Sequence, residues 1–180
     1  MDLAFTWPRR AGIYTRIVDS LSLPAGADRP ARMSAVVDAL WAHLGKPVRG
    51  PISWVGFYTP APDGQSLLLG PRRDKPACSP IGLHGACGRC FTSRRALVVI
   101  DVANLGAGYI ACDPNDQSEV VVPAFEFGAS DSPPCWGVLD IDSHETSAFI
   151  SDDAASLMRI LEKAGLSPVP ARVLTDAEVV

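Results

Sequence analysis

Five cysteines are the residues of this sequence that point most directly to chemistry. They are Cys78, Cys87, Cys90, Cys112 and Cys135, and four of them lie between residues 78 and 112. A cysteine thiolate can attack an electrophile and become a sulfenic acid, which a second thiol converts to a disulfide. Three cysteines brought to one site, Cys78, Cys87 and Cys112, would therefore supply a nucleophile and its resolving partners.

The spacing of Cys87 and Cys90 also fits a zinc site. These two residues form a CxxC pair, and the remaining ligands could come from Cys78, His84 or Cys112. A second CxxC pair, as found in zinc ribbons, is missing. A thioredoxin-like redox motif would need a strand–helix–strand unit around the pair, which the flanking sequence does not predict. We expect neither a bound metal ion nor a cofactor.

Two of the cysteines are expected to be structural. Free cysteine is among the most buried residue types, and Cys135 stands at the start of a predicted strand. If Cys87 opens a short helix, the positive end of that helix should favour its thiolate, while Cys90 lies one turn further in. Neither His43 nor His144 has an apparent metal-binding partner.

Aromatic and acidic residues alternate with aliphatic ones along three predicted strands. Because successive side chains point to opposite faces, each strand has one aliphatic face and one face that carries these groups. If the second faces meet, they form a cup lined by Trp54, Tyr58, Glu119, Asp140 and Asp142. The same alternation puts Trp136 on the face of Asp140 and Asp142. Such a cup suits a small ligand with an ammonium group, unless these are ordinary solvent-facing residues of a half-exposed sheet.

The strands that position this cup lie between helices at both ends of the chain. Apolar spacing predicts helices over 9–22 and 33–44, and a last helix that runs from Ser151, its expected N-cap, to Gly165. Strands are predicted at 52–58, 67–69, 96–102, 118–123 and 135–141, and a short helix from about residue 86. This order predicts an α+β fold with an antiparallel sheet covered by helices.

Length and composition narrow the class of protein. The chain has 180 residues, 47% of them hydrophobic, and a formal net charge of −4. These values exclude a disordered chain and argue against a nucleic-acid binder. No apolar run approaches the roughly 20 residues of a membrane span, and Arg9 and Arg10 follow apolar residues, the reverse of a signal peptide. We expect a cytoplasmic protein with one domain over 1–165 and a tail over 166–180.

Eight short segments between residues 30 and 164 match the motifs of one known family. The segments are Ser53–Tyr58, Leu69–Pro71, Lys75–Cys78, Gly85–Gly88, Asp101–Val102, Ile110–Asp113, Ser118–Pro123 and Gly137–Ser143. Each segment alone is a weak match, but their order and the three retained cysteines are specific. Together they resemble the free methionine-(R)-sulfoxide reductases, a family of stand-alone GAF domains.

The resemblance implies a fold, a reaction and partners. It implies a GAF fold with a six-stranded antiparallel sheet, helices packed on one side, and assembly as a homodimer. The implied reaction is the reduction of free methionine-(R)-sulfoxide, but not of the peptide-bound form, with thioredoxin as reductant. A GAF module that holds a small ligand without turnover is the alternative.

The resemblance also implies a role for each residue of the site. Cys112 matches the family's nucleophile, Cys78 its main resolving residue and Cys87 an auxiliary one. The carboxylates Glu119, Asp140 and Asp142 and the aromatics Trp54 and Tyr58 match its substrate pocket. The segment before Cys112 departs from the family, because Tyr109 stands where a histidine is usual.

Overall fold

A curled sheet of seven strands forms the centre of the described structure. The computed structural model describes residues 7–48, 50–106, 112–128, 133–169 and 176–180. The strands are β1 Trp54–Pro60, β2 Ser66–Arg73, β3 Ile81–Gly82, β4 Leu97–Val99, β5 Ser118–Phe125, β6 Cys135–Ser143 and β7 Glu178–Val179. They lie in the order β3-β2-β1-β6-β5-β4-β7, and every neighbouring pair is antiparallel except β4 and β7.

The expected six-stranded antiparallel sheet is therefore corrected to a mixed sheet of seven strands. The additional edge strand comes from the C-terminal residues, which pair in parallel with β4. The backbone N–H of Glu178 donates to Ala96 at 2.8 Å, and that of Val180 donates to Val98 at 2.9 Å. The edge of β4 offers unpaired backbone groups, and the end of the chain satisfies them.

Four α-helices among the described residues cover the two faces of the sheet. They are α1 Trp7–Ser20, α2 Arg29–Leu44, α3 Ala86–Ser93 and α4 Ser151–Lys163. Buried residues of α1, α2 and α4 share one core with Val120, Val122, Leu139 and Ile141 of the sheet. The short helix α3 packs on the opposite face with Val121 and Val138. The helices therefore do not all lie on one side, which corrects that part of the expected fold.

Capping groups set where two of these helices begin. Asp28 accepts a hydrogen bond from the backbone N–H of Ala31 at 2.9 Å, so α2 begins earlier than the apolar spacing predicts. At α4 the N-cap is Ile150 rather than Ser151. The Asp153 carboxylate accepts from the Ile150 N–H at 2.8 Å and also pairs with Arg10 at 2.6 Å.

Trp136 lies on the face covered by α1, α2 and α4, which contradicts its expected place beside Asp140 and Asp142. The register between β5 and β6 shifts where Phe125 pairs with Cys135 rather than with Trp136. The extra residue in β6 turns the indole into the core formed with α1, α2 and α4. There it stacks on Phe57 with 6.2 Å between ring centroids. Its Nε1–H donates to the backbone carbonyls of Phe125 at 3.2 Å and Leu166 at 2.9 Å.

The predicted strand over 96–102 ends earlier than expected. Only Leu97–Val99 is strand, and a short 3-10 helix over Val102–Leu105 follows. Asp101 caps that turn by accepting from the Ala103 N–H at 2.9 Å. Within the described part of the chain, no helix combines the length and the apolar character needed to cross a bilayer.

Candidate functional site

A cavity of about 250 Å³ lies on the α3 side of the sheet. All eight residues that the sequence singled out contribute to its lining, although they come from three strands, one helix and two loops. These residues are Trp54, Tyr58, Cys78, Cys87, Cys112, Glu119, Asp140 and Asp142. The structure thus brings the three cysteines, the two aromatic residues and the three carboxylates together at one place.

Strand register places the polar groups in adjacent rows. In the first row Asp142 of β6 stands between Trp54 of β1 and Glu119 of β5. In the second row Asp140 stands between Gly56 and Val121. Cross-strand neighbours lie about 5 Å apart, so this register determines which side chains face one another across the cavity.

The two aromatic side chains also hold the loop that carries Cys78. The Trp54 ring lies across Gly56, where an added Cβ would meet the ring at 2.3 Å. Its Nε1–H donates to the carbonyl of Lys75 at 3.0 Å, and the Tyr58 hydroxyl donates to the carbonyl of Cys78 at 3.0 Å. Glycine at position 56 is therefore needed for the indole to reach this loop.

Three carboxylates form the acidic wall of the cavity. Oxygen atoms of Glu119, Asp140 and Asp142 all lie within 4.8 Å of one another. Glu119 is 4% and Asp140 5% exposed, whereas Asp142 is half-buried. Burial raises the pKa of Asp140 to about 7, and burial together with repulsion from Asp140 and Glu119 raises the pKa of Asp142. The wall can therefore hold a proton near neutral pH and would favour a bound cation.

Cys87 lies on α3 directly above this wall. Its Sγ donates a hydrogen bond to Oδ2 of Asp140 at 3.1 Å. Burial, followed by the negative charges of Asp140 and Glu119, raises the pKa of the Cys87 thiol well above its usual value. The expected gain of the thiolate from the helix N-terminus is thus outweighed, because desolvation and nearby carboxylates both favour the neutral thiol.

Cys90 is a core residue, as expected from its place one turn along α3. It is fully buried, and its Sγ points to the carbonyl of Val121 at 3.6 Å. Cys87 and Cys90 therefore direct their sulfur atoms to different partners. Cys135 is half-buried, with its Sγ donating to the carbonyl of Gly137 at 3.2 Å.

Cys78 and Cys112 meet at the rim of the cavity. Both residues are exposed, and both line the opening. Burial of its sulfur against the cavity and hydrogen bonding with the Cys78 thiol together raise the pKa of Cys112 to about 12. Two thiols that lie close together at one opening need little movement to form a disulfide.

A second polar cluster, next to the rim, was missed from the sequence. Asp113 pairs with Lys75, and its Oδ2 lies 3.3 Å from Nε2 of His144. Asp116 lines the cavity, accepts from the Ser53 hydroxyl at 3.0 Å and lies 3.6 Å from His144. The expectation that His144 has no apparent metal-binding partner is therefore wrong, because two carboxylates lie beside it at a spacing that could hold a metal ion. The acidic residues that follow Cys112 in the sequence were the available signal.

Two groups among the described residues have a spacing that could hold a metal ion. One group is the acidic wall, and the other consists of Asp113, Asp116 and His144. In the second group, the ammonium of Lys75 already pairs with Asp113. Neither group contains a cysteine, so the CxxC pair of Cys87 and Cys90 does not form part of a metal-like cluster in the described structure. Tyr109 lies outside the described residues.

Comparison with known proteins identifies relatives of this chain. The sequence matches no protein-family model. It is 35% identical to the free methionine-R-sulfoxide reductase of Saccharomyces cerevisiae over 130 residues, which are 71% of this chain and 69% of that protein.

Solved structures show the same likeness. The structure of free methionine-R-sulfoxide reductase from Neisseria meningitidis, in complex with its substrate, has a TM-score of 0.65 and 29% identity, covering 86% of this chain and 82% of that one. A structure described as that of the GAF domain has a TM-score of 0.73 and 26% identity, covering 94% of this chain and 99% of that one. The chain therefore has a GAF fold and belongs to the free methionine-R-sulfoxide reductase family.

Proposed function

We propose that this protein reduces free L-methionine-(R)-sulfoxide to methionine by thiol chemistry, through a cysteine sulfenic acid and an intramolecular disulfide. The observation that carries the proposal is the contact between Cys112 and Cys78 at the mouth of a cavity whose opposite wall is acidic. A nucleophile with a resolving thiol in reach, beside a site for an ammonium group, matches the needs of this reaction.

The acidic wall supports recognition of a free amino acid. Free methionine sulfoxide carries an ammonium group that a peptide-bound residue lacks. We propose that Glu119, Asp140 and Asp142 pair with this ammonium, while Trp54 and Tyr58 cover the apolar part of the ligand. A cavity of about 250 Å³ lies just below the usual range of roughly 300–1,000 Å³ for ligand sites, which favours a single amino acid over a peptide.

The first chemical step transfers oxygen from the substrate to the protein. The Cys112 thiolate attacks the sulfoxide sulfur, and the oxygen then passes to the cysteine sulfur. The substrate's sulfur–oxygen bond breaks, a bond between that oxygen and Sγ of Cys112 forms, and methionine leaves as Cys112 becomes a sulfenic acid. The sulfoxide oxygen needs one proton, and the Cys112 thiol loses one. With a pKa raised to about 7, Asp140 can pass a proton between such groups at neutral pH.

The second step removes the sulfenic acid. The Cys78 thiol condenses with it, a sulfur–sulfur bond forms and water leaves. A dithiol reductant then restores both thiols and is itself oxidised to a disulfide. We propose thioredoxin for this role, and Cys87 as an auxiliary thiol in recycling.

Assembly and location are proposals that follow from family membership. We propose that the protein forms a homodimer and acts in the cytoplasm, where its thiols would be kept reduced. Light scattering of the reduced protein tests the first of these, since a homodimer would double the mass of the chain.

Stoichiometric methionine-(R)-sulfoxide, added to the reduced protein without reductant, tests the reaction. We expect release of about one equivalent of methionine and a Cys78–Cys112 disulfide, which peptide mass mapping identifies. Cys112→Ser should release none. Cys78→Ser should still release about one equivalent and then stall or recycle slowly, because its nucleophile is retained.

Two controls define the specificity of this assay. The S epimer and an N-acetylated sulfoxide should both be poor substrates. If the parent protein releases no methionine, or if Cys112→Ser releases as much as the parent, the enzymatic proposal fails. A GAF module that binds a ligand without turnover would then be the better description.

A further inference from the structure

The ion pair between Lys75 and Asp113 joins the two loops that carry the proposed redox cysteines. Lys75 precedes Cys78 by three residues, and Asp113 directly follows Cys112. The Asp113 side chain is 11% exposed and that of Lys75 41% exposed. Among the ion pairs of the described residues, this one therefore lies nearest in sequence to both thiols.

The aspartate end of the pair is fixed to its own loop. Asp113 Oδ1 accepts from the backbone N–H of Asn115 at 3.0 Å and from its Nδ2 at 2.9 Å. His144, which follows β6, approaches Oδ2 at 3.3 Å. Hydrogen bonding from Lys75 and Asn115 lowers the pKa of Asp113 well below its usual range, so this carboxylate stays charged at working pH.

The lysine end is fixed to the neighbouring loop. The carbonyl of Lys75 accepts from Trp54 Nε1, and three residues later the carbonyl of Cys78 accepts from the Tyr58 hydroxyl. Both contacts hold the Cys78 loop on β1, but neither contacts the Cys112 loop. The Lys75 ammonium supplies that cross-connection.

We propose that Lys75 and Asp113 are positioning residues for the resolving step, which hold the Cys78 thiol beside the sulfur of Cys112. The proposal rests on the proposed function, because it concerns the condensation of the Cys112 sulfenic acid with Cys78, in which a disulfide forms and water leaves. Neither residue is among those described as lining the cavity. The pair therefore acts on resolution, not on substrate binding or oxygen transfer.

The size of the effect follows from the geometry. Holding two reacting groups in contact accelerates their reaction strongly, and a displacement of about 1 Å can cost a factor of roughly 100. A partly exposed ion pair is only one of several constraints on these loops, so we expect its loss to slow disulfide formation roughly tenfold.

The test separates the two chemical steps in Lys75→Met and Asp113→Asn. After rapid mixing with stoichiometric methionine-(R)-sulfoxide, methionine release reports oxygen transfer and mass mapping of quenched samples reports the Cys78–Cys112 disulfide. We expect methionine release within twofold of the parent, disulfide formation about tenfold slower, and more sulfenic acid trapped by dimedone. In steady state kcat should fall while KM for the sulfoxide does not rise.

Two further variants distinguish positioning from general destabilisation. Lys75→Arg keeps the charge and should restore disulfide formation to near the parent rate. Lys46→Met breaks another exposed pair, Lys46–Asp74 at 3.1 Å, which involves the residue directly before Lys75 but does not connect to the Cys112 loop, and should leave both steps unchanged. Equal disulfide rates in the parent and Lys75→Met, or equal slowing in Lys46→Met, would overturn the proposal.

A peroxide arm keeps this proposal independent of the proposed substrate. Hydrogen peroxide oxidises a cysteine thiolate to a sulfenic acid with release of water, so it delivers the same intermediate without a sulfoxide. If the parent releases no methionine but Lys75→Met still slows the peroxide-driven disulfide, the substrate assignment fails and the positioning role stands. If Lys75→Met does not slow it, the positioning role fails whatever the substrate.

Discussion

The thiol of Cys87 donates a hydrogen bond to the carboxylate of Asp140, with 3.1 Å between Sγ and Oδ2. This contact joins the first turn of α3 to the centre of β6. The protonation of the Cys87 thiol therefore depends on the charge of the Asp140 carboxyl. Oδ1 of the same carboxyl is buried and makes no hydrogen bond to the described residues. That oxygen is the atom of Asp140 that is available to a ligand.

The pH dependence of oxygen transfer should report on Asp140 and Cys112. The pKa is about 7 for Asp140 and about 12 for Cys112. Between about pH 7 and pH 12 the two groups therefore hold one proton in total, with Asp140 ionised and Cys112 a neutral thiol. Attack needs one proton on the pair, since the thiolate must form while the sulfoxide oxygen is protonated. Below pH 7 both groups are protonated, so single-turnover methionine release should fall about tenfold for each pH unit.

Asp140→Asn provides the matching test of this profile. Without the carboxyl, the rate should follow the thiolate fraction of Cys112 alone and keep rising between pH 6 and 9, approximately tenfold per unit, with no plateau. Asp38→Asn, at an exposed pair with Arg73, is the control and should keep the parent profile. A parent rate that increases as the pH drops below 7 would contradict this scheme.

Substrate selection should depend on the charge of Glu119. Glu119→Gln keeps the shape of the side chain but removes the negative charge that pairs with the ammonium. A charged hydrogen bond contributes roughly 1.5–3 kcal/mol, so kcat/KM for the free sulfoxide should fall tenfold or more. Glu126→Gln, which alters an exposed pair with Arg29 beyond the end of β5, should change kcat/KM little. Unchanged efficiency in Glu119→Gln would remove Glu119 from the proposed site.

Cys90 and Cys87 should respond differently to replacement by serine. Cys90 is fully buried with its Sγ directed to the carbonyl of Val121, so Cys90→Ser should keep turnover with thioredoxin while lowering the midpoint of thermal unfolding by roughly a few degrees. Cys87→Ser removes the thiol that donates to Asp140 and should change the rate at which thioredoxin reduces the oxidised protein. A Cys90→Ser protein that folds but is not recycled by thioredoxin would reverse these assignments.

Deletion of residues 176–180 should destabilise the sheet edge without abolishing chemistry. The deletion removes β7, three backbone hydrogen bonds to the β4 segment and the ion pair of Glu178 with Arg89 on α3. At about 0.5–1.5 kcal/mol for each hydrogen bond, the loss of stability should be roughly 3 kcal/mol, or about 6–12 °C in Tm.

Glu178→Gln is the control for this deletion. It removes only the partly exposed ion pair with Arg89, so calorimetry should detect a much smaller change in Tm. Equal Tm values for the parent and the truncated protein would mean that β7 does not contribute to stability.

The sequence by itself identified eight residues that line the candidate site, although it missed Asp116. Period-two alternation assigned Trp54, Tyr58, Glu119, Asp140 and Asp142 to one face, because strand geometry alone decides on which side a residue lies. The motifs around Cys78, Cys87 and Cys112 added the thiols. All eight residues line one cavity in the structure. Local geometry was sufficient here because β6 pairs in regular register with β1 and β5 at these residues.

Tertiary structure decided the features that depend on pairing, burial and contacts between distant segments. A bulge opposite Phe125 turned Trp136 to the other face, and such a register shift is not encoded in alternation. The raised pKa of the Cys87 thiol comes from burial against Asp140, a residue on another element. Lys75 pairs with Asp113 only because the fold brings the loop of Cys78 next to the loop of Cys112. Residues 178–179 pair with the edge of β4 because the backbone groups of that edge need hydrogen-bond partners. No local pattern in residues 176–180 predicts this pairing.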